Sequence, residues 1–220
     1  FLCLAELPPA GQIRFLARLS DLEPADVSPF WDEFFEPHGP FDGLDAALRH
    51  PKWLPIVAAV VPEKMLALLQ REIEDASLES RLSLLGDHRM QVVWALKQLL
   101  FRRRTSRGAF KILWRLAEAE TEHTYANNAT AALAECFHPL NPQFPLSLVE
   151  RLELLQEFTA ERNPDKARVV ALEAVRRSFQ VRAFVLTQVR NPTTLDRGYH
   201  PFRGEAQEFF RGVLKLFDSM

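Results

Sequence analysis

The chain has 220 residues, 47% of them hydrophobic and 25% charged, with a formal net charge of −2. That balance supports a sizeable core, excludes a disordered chain and argues against a protein dominated by nucleic acid. Two cysteines make no disulfide framework and suit a reducing compartment, and 8 glycines against 15 prolines fit helix corners better than phosphate loops or strand turns.

The near-neutral total hides an asymmetry. Residues 1–87 hold 7 basic and 15 acidic side chains, residues 88–117 hold 8 basic and none acidic, and the remainder holds 12 and 14. The basic segment either meets an acidic partner or lies against the acidic N-terminal part of its own chain. The second reading is preferred, because charge runs are usually solvated faces or local pairs.

In chain order, residues 1–7 read as a helix end or apolar strap, broken by Pro8 and Pro9. Ile13, Leu16, Ala17 and Leu19 then share a side. A short helix from Pro24 carries Val27, Phe30, Trp31, Phe34 and Phe35, an aromatic set read as a core plug. EPHGPFDG (36–43) is irregular and marks the first boundary.

Three helical segments follow, over 44–49, 52–60 and 62–75. Pro62 stands at a first-turn position, and Met65, Leu66, Leu68 and Leu69 form the stripe. Residues 77–86 close on Gly86 as a left-handed cap.

From His88 the apolar spacing is again helical: Val93, Leu96, Lys97 and Leu100 on one face, then Phe110, Leu113, Trp114 and Ala117 on another. RRRTSR (102–107) is read as the break between these helices, with Trp94 and Trp114 both expected to be buried. Asn127, Asn128 and Thr130 are read as structural caps of a third helix, the asparagine oxygens accepting from first-turn amides.

HPLNPQFP (138–145) is a second proline-rich corner. Ser147 with Glu150 forms a capping box, and Leu148, Leu152, Leu155 and Phe158 face inward. Pro164 starts the next helix, with Val170, Ala171, Ala174, Val175 and Phe179 inward. Residues 191–204 form an ordered loop anchored by Tyr199 and Phe202, before a last helix with Phe209, Val213, Leu214 and Phe217 inward.

Chemistry-bearing motifs are sparse. Glu118, Glu122 and His123 are the nearest thing to a metal cluster but read better as a solvated helix end, and Cys136 with His138 is spaced wrongly for two ligands. GxSxG, GxxxxGK[ST] and GxGxxG are absent, so no catalytic, cofactor or metal site is expected. Asn128-Ala129-Thr130 matches a glycosylation acceptor and is read as a cap. The strongest functional feature is the basic hairpin of Lys97, Arg102, Arg103, Arg104, Arg107, Lys111 and Arg115, where Glu72, Glu74 and Asp75 are the expected internal partners.

Arg89, VVWALKQLLF (92–101), Ala109-Phe110, LAEAETE (116–122), NNAT (127–130) and Phe137 together resemble a helical region of large bacterial STAND-type NTPases and their relatives, several linked to phage defence. The resemblance spans residues 45–180 and implies a sensor or scaffold beyond a nucleotide-binding core. The family's nucleotide-binding motifs have no counterpart here, so it supplies no catalytic residue.

The expectation is an all-α, irregular, HEAT-like α-solenoid of roughly ten to twelve short helices. It divides into an acidic helical segment 1–43, a central array 44–190 and a loop with C-terminal helix 191–220, as one continuous unit. The chain starts at Phe1 and reads as a piece of a larger bacterial protein. Its expected role is a cytoplasmic, non-enzymatic interaction or sensing module without cofactor or membrane segment. The partner is a protein or another domain of the parent chain. A nucleic-acid-binding module using residues 97–115 stands second, and a helical enzyme third.

Overall fold

Proline sets the helix starts. Pro9, Pro24, Pro51, Pro62 and Pro164 each stand at the first position of a helical segment, where the missing N–H would have had no partner. The computed structural model describes residues 4, 6–22, 24–77, 79–81, 83, 88–120, 128–139, 141, 143–160, 164–179 and 201–219. Asn127, Gly86, Glu122, His123, Tyr199 and loop residues 191–200 lie outside them.

The α-helices are α1 (Pro9–Arg18), α2 (Pro24–Phe35), α3 (Leu44–Leu48), α4 (Leu54–Val60), α5 (Pro62–Leu69), α6 (Arg89–Leu100), α7 (Arg103–Ala119), α8 (Ala129–Glu135), α9 (Leu148–Thr159), α10 (Pro164–Ser178) and α11 (Arg203–Ser219). Short 3₁₀ turns at Leu19–Asp21 and Pro51–Trp53 and a π-helical turn at Gln70–Glu74 join them. No strand occurs among the described residues. The fold is all-α, as the apolar spacing requires.

Helices pack mainly on elements one to three places away in the chain: α4 on α6, α6 on α7, α5 on α7, α7 on α8, α8 on α10 and α9 on α11. One hydrophobic cluster runs from Leu4 to Val213. At its N-terminal end Trp31 and Phe34 are buried. Phe34 stacks on Phe41 at 5.4 Å and on Trp53 at 5.8 Å, so the aromatic set of α2 is core. The turn after α2 is tight. His38 adopts φ 69, and a Cβ on Gly39 would lie 2.5 Å from the Glu33 carbonyl oxygen and 2.6 Å from that of Phe34.

The middle of the cluster belongs to α7. Trp114 stacks on Phe158 of α9 at 4.9 Å, and Phe110 lies 5.5 Å from both Phe158 and Phe137. On another side Gly108 admits α5, for a Cβ there would sit 2.9 Å from Leu66 Cδ2.

Several expectations are corrected. Phe179, Leu214 and Phe217, expected inward, are exposed. The break between α6 and α7 is two residues, 101–102, and α7 already begins at Arg103; neither Thr105 nor Ser106 interrupts a helix whose next turn is strongly apolar. Trp94 is 39% exposed, whereas Trp114 is fully buried. Val92, Val93, Leu96, Leu99 and Leu100 take the inward arc of α6, and Trp94 is left on the outward side with Met90 one turn before it. Phe202, expected to anchor the loop before the last helix, is 80% exposed. Trp31, Trp53 and Trp114 are buried, so acrylamide should reach one of the four indoles, and Trp94→Phe should remove the quenchable fraction. Trp114→Ala should cost about 3–5 kcal/mol in urea unfolding.

Candidate functional site

The basic segment is a corner followed by a helix, and the two parts behave differently. Arg102 is extended (φ −121, ψ 125) at the N-cap of α7, and only 7% of it is exposed. Its guanidinium turns inward and donates to the carbonyl oxygens of Gln98 and Ala59, both at 2.6 Å. Those carbonyls belong to the last turns of α6 and α4, where helix geometry leaves acceptors without intrahelical partners. The Thr105 hydroxyl adds a bond to Leu99 O at 2.6 Å. A cation there also complements the negative end of the helix dipole.

The remaining residues lie along α6 and α7, and all but Arg104 meet carboxylates. Lys97, nearly buried, pairs with Glu135 at 3.1 Å. Arg103 reaches Glu150 at 2.5 Å and Pro145 O at 3.0 Å. Arg107 and Lys111 share Glu157 at 2.6 and 3.2 Å. Arg115 contacts Glu118 at 3.3 Å, and Arg81 lies 3.8 Å from the same carboxylate. Arg104 alone of the set is exposed without an ion pair among the described residues.

Internal pairing is therefore what the basic face does, but with other acids than expected. Glu72 takes Arg71 at 2.7 Å and Glu74 accepts from Gln70 at 3.3 Å. The acids that face the basic strip come from α7 to α9, because the corner after α8 returns the chain and lays α9 beside α7. The N-terminal side of α7 meets α5 through Leu66 instead.

Glu150 and Glu157 feel opposing influences. Burial raises both carboxyls. For Glu150 the Ser147 amide, the Arg103 hydrogen bond, the Ser147 hydroxyl and the Arg103 charge outweigh it. For Glu157 Lys111 and Arg107 do the same. Both end below the ordinary carboxylate value.

The caps divide. Asn128 Oδ1 accepts from Ala131 N–H at 2.6 Å and is the N-cap of α8. Thr130 is not a cap: its hydroxyl donates to Glu120 at 2.7 Å. Glu120, overlooked in the sequence, also accepts the amides of Ala129 and Thr130 at 2.5 and 3.0 Å. A carboxylate nine residues upstream thus satisfies the free N–H groups of a helix start. Ser147 and Glu150 form the expected capping box on α9.

Arg151 is the largest omission of the sequence reading. It is fully buried. Nε donates to Leu146 O at 2.9 Å, Nη1 to Cys136 O and His138 O at 3.1 Å each, and Nη2 to Phe144 O at 2.9 Å and Asn141 O at 3.5 Å. The guanidinium also lies 4.9 Å from the Phe144 ring centre. One side chain thereby ties together five carbonyls between α8 and α9.

Glu118 accepts from Trp114 Nε1 at 3.1 Å and from Arg115. Burial pushes the Cys136 thiol up to about 12, so it stays protonated and inert. Among the described residues no three His, Cys, Asp or Glu side chains converge as metal ligands. Comparison with protein-family models, with curated proteins and with solved structures finds no match.

Two measurements follow from this geometry. Arg151→Met should cost about 3–5 kcal/mol in urea unfolding, since several buried carbonyls lose a charged donor together. Acid should act through Glu150 and Glu157. A carboxyl with a lowered folded pKa stabilises above its unfolded pKa, and that stability is lost as pH falls through the folded value. Between neutral pH and the acid side of the ordinary carboxylate value, wild-type stability should fall more steeply than that of Glu150→Gln/Glu157→Gln.

Proposed function

We propose that this chain is a scaffold and sensing module of a larger bacterial protein, a HEAT-like helical array that docks another protein or another domain of its parent. The observation that carries this reading is the consumption of the basic face. Lys97, Arg103, Arg107, Lys111 and Arg115 are matched to carboxylates of the same chain, and Arg102 is turned onto helix-end carbonyls. A phosphate backbone would have to displace these partners. The resemblance to helical regions of STAND-type NTPases supports the same role, as a non-enzymatic, cofactor-free part of a cytoplasmic machine. No described helix is long and apolar enough to cross a membrane.

Binding to a labelled duplex, followed by fluorescence anisotropy across a salt series, separates this reading from the nucleic-acid one. With Arg102 buried on carbonyls and Arg104 the exposed strip residue without an ion pair among the described residues, the log–log salt slope should be about 1 or less, at roughly 0.9 per phosphate neutralised. A tight complex with a slope of about 4 or more, lost on replacing the strip, would make this a nucleic-acid-binding module. In the intact parent, cross-linking should join this chain to surfaces beyond it. Cross-links confined to the chain itself would remove the scaffold role.

A further inference from the structure

A cavity of about 780 Å³ lies between α3 and the π-helical turn. Its size is that of a small-molecule site, commonly about 300–1,000 Å³. The floor is apolar: Leu44 and Ile73, both buried, with Leu48 and Ala76. The rim is charged with both signs, Asp45, Glu72 and Glu79 against Arg49 and Arg81, with His88 beside them.

The rim is only partly matched: Arg81 lies 3.8 Å from Glu118 and Glu72 pairs with Arg71 at 2.7 Å. Among the described residues, Asp45, Arg49, Glu79 and His88 take part in no ion pair. Arg81 is held from behind. Its Nη1 donates to Arg115 O at 2.9 Å, and 15% of the side chain is exposed. Its buried Nε has no acceptor, a state native proteins seldom leave unfilled. The π-helical turn Gln70–Glu74 contributes Glu72 and Ile73 to the lining. Such turns are rare and frequent at functional sites.

These features select a ligand chemistry. A polyanion such as a nucleotide would meet Asp45 and Glu79, and a polycation would meet Arg49 and Arg81. A molecule with an apolar body, one carboxylate and one ammonium suits the floor and both halves of the rim. We infer that the cavity binds a small apolar zwitterion, an amino acid with an apolar side chain or a short peptide with free termini, its carboxylate on Arg49 and Arg81 and its ammonium on Asp45 and Glu79. This rests on the sensing part of the proposed function, for which the zwitterion is the signal.

The test is calorimetric titration of the chain with trileucine and with the same peptide acetylated and amidated, alongside thermal unfolding with each. Free trileucine should bind one to one and raise Tm, and the blocked peptide should bind about tenfold or more weakly, having lost two charge-assisted contacts. Asp45→Asn and Arg49→Gln should each weaken trileucine by about tenfold. Lys52→Ala, close in sequence but off the cavity, should bind as wild type. Absence of binding by free trileucine, equal binding of the blocked peptide, or full affinity in both rim variants would overturn the assignment. The free-against-blocked comparison uses the wild-type chain and stands even if a rim variant misfolds. Failure here leaves the scaffold reading intact, because that depends on the cross-links and the salt slope.

Discussion

Helix ends are what this fold has to satisfy. Many short helices mean many terminal turns, and each turn leaves carbonyls with no partner in the helix. The common remedy is a left-handed glycine cap, and the chain has only 8 glycines. It uses buried arginine instead. Arg102 closes the ends of α4 and α6 together. Arg151 gathers five carbonyls of the turn after α8. Arg103 and Arg71 bond single carbonyls, at Pro145 and Asp42, as further ties between distant segments. Arginine suits this work because its planar fork carries five donors that can serve several acceptors at once, and its charge is never lost.

These corners then place α7, on which the middle of the fold leans. Its apolar face takes Phe137 and Phe158, and its cationic face takes Glu150 and Glu157. The buried aromatic pairs and the partly exposed ion pairs both join α9 to α7. Each such ion pair is worth about 0–1 kcal/mol, so the aromatic contacts dominate and the charges refine. A face engaged in this way has little left for a partner.

Local features were legible in the sequence, and long-range ones were not. Proline at first-turn positions, the Ser147–Glu150 capping box and the aromatic plug of α2 involve residues a few positions apart, where spacing alone decides geometry. The partner of Arg107 is 50 residues away and the second carbonyl on Arg102 is 43 residues away; no local pattern encodes either. Arg151 did carry a signal. It stands with Leu148, Leu155 and Phe158 at helical spacing, inside the buried stripe, while Leu152, assigned inward, is only half-buried. Reading charge as solvated hid it. Lys97 sits in the stripe of α6 in the same way. The α3 cavity was invisible because its walls come from separate segments and share no motif.

The most direct test separates the geometry of arginine from its charge. Arg102→Lys keeps the cation but cannot span carbonyls on two helices at once. If the arginine fork holds the corner, urea unfolding should show a loss of about 1.5–3 kcal/mol, the worth of one charged hydrogen bond. Wild-type stability in Arg102→Lys would contradict the account, because the corner would then need a positive charge and nothing more.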